Sequence, residues 1–520
     1  MTRGVASLNR SMKTIIVPLT FLAALLPARA EVSLPTLFSD HMVLQRDVAL
    51  PVWGWAAGGE EVRVTIAGQT KTTKAGADGK WRVQLDKLSV AEPVTLTVKG
   101  RNEIIVNDVL VGEVWLCSGQ SNMGFAVRSA ENFEQEKAAA VHPKLRMFIV
   151  TSGAATQPQE KCNGKWFVCS PETVGGFSAT AYFFGRELNV KLGVPVGLIH
   201  SSVGGTPIEA WTSFDAQKEV PELQPMIERW AKQIAAWDPA MAQANFAQQN
   251  ADYPALAEKA KAEGKPVPRK PVLPVGPGID AHRPANLFNG KIAPLIPYAI
   301  KGAIWYQGEA NTHGPAEGLT YRKQLPLLIA DWRTRWAQGD FPFAWVQLPE
   351  FANGHPDGWC LVREAMLQTL RVPHTGMAVT LGFGEKRNIH PARKQEVGRR
   401  LALWALGEVY GQKGATSGPL YAGHKIDGSD VTITFTHADG GLRAKDGELK
   451  GFVIAGDDRE WKPALTKIDG NKIIVSTPDG ANAAAVRYAW ANDPEWSLIN
   501  ASGLPASPFR TDDWPFPPAP

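Results

Sequence analysis

From Val109 to about Tyr410 short apolar runs alternate with helical stretches, and this alternation limits the fold more than any other feature of the chain. Apolar runs stand at Val111 to Cys117, Val196 to Ser202, Gly302 to Tyr306, Phe341 to Leu348 and Gly376 to Leu381. Helical patterns stand between them, at Ala179 to Leu192 and Tyr321 to Trp336, and after them at Lys394 to Leu406. Strands buried on both faces read as continuous apolar runs, and parallel strands need long crossovers, which helices supply. The expected fold is α/β, a mostly parallel sheet with helices on both faces. Such sheets bind ligands beyond the carboxyl ends of their strands.

Four polar turns fall at those ends. The first strand breaks into Ser118-Gly-Gln-Ser121-Asn122, and a second is followed by Gly204-Gly205. A third runs into Gln307-Gly308-Glu309, and His390-Pro391 opens a late helix. One serine before a helix is usually a cap; four such turns make a candidate site. A serine hydroxyl is a poor nucleophile until a base takes its proton, and the resulting oxyanion needs fixed donors. Ser121 would attack and lend its own backbone N–H. Gly204 or Gly205 would bring a second N–H close, because no Cβ obstructs it. Gln307 would add a side-chain donor, and His390 would serve as base and then as acid.

The flanks read differently. Residues 31–107 and 413–520 carry short alternating strands with Gly and Asp turns, which predicts a small β-sandwich before the α/β unit of 108–412 and a β-rich domain after it. A helical and Pro/Gly-rich insertion is expected at about 215–284. Residues 1–30 read as a secretory signal: a basic start, an apolar core and Ala28-Arg29-Ala30 as cleavage site. The product would be secreted or periplasmic, with no membrane anchor. That segment holds four of the 55 Lys and Arg and none of the 51 Asp and Glu, so its removal leaves 51 of each. A net charge near zero argues against nucleic acid as a partner. Cys162 and Cys169 are close enough in sequence to be candidates for pairing, and no Cys/His spacing suggests a metal. No cofactor is expected, and the oligomeric state stays open.

The runs Gly119-Gln-Ser121-Asn-Met123, Val203-Gly-Gly-Thr-Pro-Ile-Glu-Ala-Trp211, Ile304-Trp-Tyr-Gln-Gly-Glu-Ala-Asn311 and Asn388-Ile-His390-Pro391 resemble the sialate O-acetylesterase family, carbohydrate esterases of the SGNH-hydrolase superfamily. Similarity extends to Phe38-Ser-Asp-His-Met-Val-Leu-Gln-Arg46 and to Gly503 through Trp514, so it spans nearly all of the mature chain. The resemblance implies a serine esterase that removes acetyl groups from sugar hydroxyls without metal. It implies Ser121 and His390 as the catalytic pair, with Gly204, Gly205 and Gln307 around the oxyanion. An acetylated plant-wall polysaccharide such as xyloglucan or xylan, or O-acetyl sialic acid, would be the substrate.

One position departs from the family. Members usually carry Asp two residues before the histidine, and this chain has Asn388. In a serine protease triad the equivalent exchange costs roughly 10⁴ in rate. Three readings stay open: Asn388 orients His390 in a dyad; a carboxylate elsewhere has taken over, Glu309 before Glu385; or the chain is a weakened esterase kept for glycan binding. His200 and His282 read as structural, Arg363 equally as a helix cap or a substrate contact, and Trp305, Trp211 and Trp359 as core residues that could alternatively stack on sugars.

Overall fold

Seven strands of the computed structural model, which describes residues 1, 2, 4, 31–89 and 92–516, form the sheet that carries the site. They are β1 (Glu103–Gly119), β2 (His142–Val150), β3 (Gly164–Cys169), β4 (Val196–Ser202), β5 (Gly302–Tyr306), β6 (Phe343–Val346) and β7 (Thr375–Ala378). Their order is β7-β6-β5-β1-β4-β2-β3. Every neighbouring pair is parallel except β2 with the edge strand β3. Strands β5, β6 and β7 add outward on one side of β1, while β4 enters on the other side between β1 and β2. The strand order therefore reverses at the carboxyl end of β1, a topological switch point. The expected signal segment lies outside the described residues, apart from positions 1, 2 and 4.

Side-chain alternation sorts the strands onto two cores. Ala303 and Trp305 of β5, with Phe343 and Trp345 of β6, pack with Tyr321, Leu325 and Trp332 of helix α2 (Pro315–Trp336). Their neighbours Ile304, Tyr306, Ala344 and Val346 join the opposite core, with Phe183 and Leu188 of α1 (Ala179–Leu192) and Leu401 and Trp404 of α4 (Lys394–Trp404). Helix α3 (Pro356–Thr369) joins α2 on the first face, through Val362 and Met366. Helices thus cover both faces, as the alternation in the sequence requires. Trp305 and Trp332 meet edge to face at 5.8 Å, an arrangement that adds about 1 kcal/mol beyond the area it buries.

Strand β1 is 17 residues long and serves two layers. Its first half pairs antiparallel with Val94–Lys99, which continues into Glu61–Ile66 and Gln69–Lys74. Its second half is the centre of the parallel sheet. The division expected between residues 107 and 108 falls inside this strand. Leu50–Trp55 and Lys80–Leu85 form a separate antiparallel ribbon. Beyond α4 lie antiparallel sheets built from Leu420–Asp427, Asp430–Thr436, Lys472–Ser476 and Leu465–Asp469, and from Phe452–Ala455 and Ala485–Tyr488 with their short edge strands. The Phe509–Arg510 segment of the tail pairs with Ala485–Tyr488, and Arg510 reaches back to Glu364 of α3 at 2.8 Å. In the region of the expected insertion, helices Gln224–Ala235 and Pro239–Ala262 stand largely exposed.

Cys162 and Cys169 do not pair; all four cysteines are buried free thiols. The physical reason lies in β3, which runs extended from Gly164 to Cys169. Five steps of about 3.3 Å carry Cys169 roughly 16 Å along the strand, whereas a disulfide needs Cα atoms within about 7 Å.

Candidate active site

Gly119 ends β1 with φ of 140°, and a Cβ there would lie 2.1 Å from the carbonyl oxygen of Tyr306. Only glycine lets β1 and β5 stay paired to that point while the chain turns away. The next residues form a single helical turn, Ser121–Gly124, which sets Ser121 at the carboxyl edge of the sheet. Gln120 locks the turn to β5: its backbone N–H donates to Tyr306 O at 2.9 Å, and its side-chain oxygen accepts from the N–H groups of Gly308 and Ala310 at 3.3 Å.

His390 arrives from the loop between β7 and α4, and its Nε2 lies 2.7 Å from Ser121 Oγ. The glycine pair after β4 is exposed beside them, and a Cβ on Gly204 would touch Ser121 Cβ at 3.4 Å. The backbone N–H groups of Ser121, Gly204 and Gly205 meet no acceptor among the described residues. The structure therefore brings together a serine hydroxyl, an imidazole and uncommitted backbone donors, from three turns remote in sequence.

Other expected members take different places. Asn388 does not reach the imidazole: its Oδ1 accepts from the backbone N–H of His390 at 3.0 Å, and its amide nitrogen donates to His390 O and Glu385 Oε2, each at 3.0 Å. Among the described residues no group accepts from or donates to His390 Nδ1. Glu309 is buried, and its Oε1 accepts from Asn122 Nδ2 at 2.5 Å while Oε2 is unpartnered. It does not hydrogen-bond to His390. Gln307 faces inward: its nitrogen donates to Asn311 Oδ1 at 2.7 Å and Thr206 O at 3.3 Å, and its oxygen accepts from Tyr321 at 2.9 Å. With its amide nitrogen spent on these bonds, Gln307 braces the Gly204-Gly205 turn from behind and is not an added oxyanion donor. Glu385 sits at the exposed rim, where its other oxygen accepts from Ala392 N–H at 2.9 Å.

Two residues that sequence reasoning passed over tie the site together. Asn122, fully buried, donates to Ile389 O at 2.9 Å and accepts from Lys394 Nζ at 2.7 Å. Lys394 Nζ also donates to Pro391 O at 2.5 Å. The backbone around His390 is thus held at three consecutive residues by Asn122, Asn388 and Lys394. Neutral bonds such as those of Asn122 and Asn388 contribute about 0.5–1.5 kcal/mol each and the bond from the Lys394 ammonium about 1.5–3 kcal/mol, together enough to fix a loop. The signal available in the sequence was the lysine four residues after His390, but a lysine near a helix start ordinarily reads as a solvated residue.

Electrostatics follow from burial. Desolvation, reinforced by repulsion from Lys394, lowers the pKa of His390, which favours the neutral imidazole. Burial raises the pKa of Glu309 against the hydrogen bond from Asn122. Lys394 is brought down to about 7 by burial, with Glu309 and Glu385 opposing the shift. Its ammonium lies 4.8 Å from the ring centre of Phe125 and 5.6 Å from that of Tyr306.

The remaining polar and aromatic candidates are structural. His200 is bonded to Ser202 at 2.7 Å and pushed by burial to about 4. His282 pairs with Asp280 at 2.7 Å. Arg363 spends its guanidinium on carbonyls of Leu348, Pro349 and Ala491. Trp211, Trp305 and Trp359 are buried in the core and offer no face to a sugar.

Comparison with known proteins bears on this geometry. Residues 111–251 and 288–406 match the family described as carbohydrate esterase, sialic acid-specific acetylesterase. The chain is 29% identical to the sialate O-acetylesterase of Rattus norvegicus over 90% of its own length and 92% of that protein. With the sialate O-acetylesterase of Homo sapiens it shares 29% over 91% of each. A crystal structure described as a novel carbohydrate acetylesterase from Xanthomonas citri superposes with a TM-score of 0.77 at 35% identity, covering 93% of this chain and 100% of that one.

Proposed function

The chain belongs to the carbohydrate esterase family of sialic acid-specific acetylesterases and is a carboxylic-ester hydrolase, and we propose that it works through a Ser121–His390 dyad. Ser121 Oγ attacks the acetyl carbonyl as His390 Nε2 takes its proton. The N–H groups of Ser121 and of Gly204 or Gly205 receive the oxyanion. Collapse expels the sugar oxygen, which leaves with the proton from His390. Water, deprotonated by the same imidazole, then attacks the acetyl-enzyme and releases acetate.

The observation that carries this reading is the 2.7 Å contact between Ser121 Oγ and His390 Nε2 beside uncommitted backbone donors. Asn388, Asn122 and Lys394 act in it as positioning residues, fixing the backbone on which the imidazole is mounted. Orientation comes from below the ring instead of from an acid on Nδ1. Glu309 serves as the buried counter-charge of the Asn122–Lys394 pair.

The substrate we propose is an acetylated polysaccharide of the plant-wall type, met outside the cytoplasm, with O-acetyl sialic acid as the alternative. Gly204, Gly205, Glu385 and Asn388 are exposed around the pair, so the site opens at the surface, which suits a long glycan. Acetate release from acetylated xyloglucan, acetylated xylan and O-acetyl sialic acid, by wild type beside Ser121→Ala, is the test. Release abolished by Ser121→Ala supports the mechanism and identifies the sugar. No release from any substrate by a folded wild type would leave a glycan-binding protein with an esterase shell.

A further inference from the structure

Away from Ser121, the ribbon of Leu50–Trp55 and Lys80–Leu85 presents a second kind of surface. Its register opposes Trp53 to Arg82 and Trp55 to Lys80. Directly opposed residues project to the same side of an antiparallel pair, so two indoles and two cations alternate on one face. Facing them across a cleft of about 410 Å³ are Ala293, Ile296 and Pro297. None of the residues lining this cleft belongs to the Ser121–His390 cluster.

Both indoles are half-buried and still open to solvent on the cleft side. Trp53 is held edge-on against Phe38 at 4.8 Å, so its ring plane is fixed before anything binds. The charged fringe is uneven. Glu160 pairs with Lys80, whereas Arg82, Lys74 and Lys161 have no carboxylate partner among the described residues. Lys161 instead lies 4.1 Å from the ring centre of Trp55.

We infer that this cleft is a second glycan-binding site, which takes a pyranose bearing a carboxylate. A pyranose has an apolar C–H face, which packs on an indole, and a polar rim, which Arg82, Lys80 and Glu160 can bond. The volume suits one or two sugar rings, within the range of small-ligand clefts. A protein partner would ask for a broader, flatter surface. Three uncompensated cations beside one already paired carboxylate favour an acidic sugar over a neutral one. The site needs neither the nucleophile nor the base, so it stands or falls apart from the mechanism above.

The test is calorimetric titration of full-length Ser121→Ala, which cannot consume an acetylated ligand in the proposed mechanism, with tetragalacturonate, sialyllactose and neutral xylotetraose. One or both acidic glycans are expected to bind, and to lose at least about 10-fold in affinity when Trp55→Ala or Arg82→Glu is added. Which acidic glycan binds distinguishes a uronate from a sialate. The same two substitutions in the wild-type background are expected to leave turnover of 4-nitrophenyl acetate unchanged, which also reports that they fold. Binding of neither acidic glycan, equal or tighter binding of xylotetraose, or undiminished affinity in both folded variants would overturn the proposal.

Discussion

Asn388 meets His390 through the backbone and not through the imidazole: its side-chain oxygen accepts the His390 N–H at 3.0 Å, and its nitrogen bridges to Glu385. Position 388 therefore shapes the turn that carries His390. It does not complete a charge chain.

Restoring the carboxylate by Asn388→Asp is expected to lower kcat, by about 3- to 10-fold, and not to raise it. Asp can keep the bond from His390 N–H, but it loses both donations and sets a like charge beside Glu385. Adding Glu385→Gln should recover part of the loss. Steady-state rates on an aryl acetate decide the matter; a clear gain in Asn388→Asp would mean that the residue serves the ring after all.

Glu309→Gln separates a counter-charge from a triad acid. Glutamine is nearly isosteric, and the carboxylate it replaces contacts Asn122 and not His390. The expected loss in kcat/KM is below about 10-fold, whereas removal of a triad acid would cost roughly 10⁴.

The acid limb of kcat/KM reports the free-enzyme base. Because burial and the Lys394 charge both lower the pKa of His390, the limb is expected below the ordinary histidine range. Lys394→Met removes a repelling cation, so imidazolium becomes easier to form and the limb moves to higher pH. Loss of the tether to Pro391 should also lower kcat by about 10²-fold, the cost of a misplacement near 1 Å. A tether alone would lower the rate without moving the limb.

Lys394 also links stability to pH. Its folded-state value is about 7 against an ordinary 10.5. Between those values the unfolded chain binds the extra proton, so stability rises with pH across that window. Denaturant titrations from pH 7 to pH 10 should show wild type gaining on Lys394→Met; parallel curves would mean that the ammonium is paired well enough to keep its ordinary affinity for protons.

The sheet and its polar turns were legible because buried parallel strands read as apolar runs and turn chemistry is local. Ser121, Gly204 and His390 converge as those turns implied. What stayed hidden depends on which way a side chain faces. Gln307 could have pointed outward, and the buried Tyr321, Asn311 and Thr206 carbonyl draw it in. Lys394 carries no mark in the sequence of being fully buried, and Asn388 offers the same atoms to a backbone as to a ring. The continuity of β1 was masked by the polar residues Asn107 and Asp108, which read as a break between domains.

That continuity has a consequence for how such a chain can change. Gaining or losing one residue anywhere in Glu103–Gly119 would reverse the facing of every side chain beyond it and shift Ser121 forward or back by about 3.3 Å. Exchange of the N-terminal layer, the usual way an appended module diversifies, would have to splice within this strand. What resembles an accessory is the root of the strand whose far end leads into Ser121, and the two can evolve only in step.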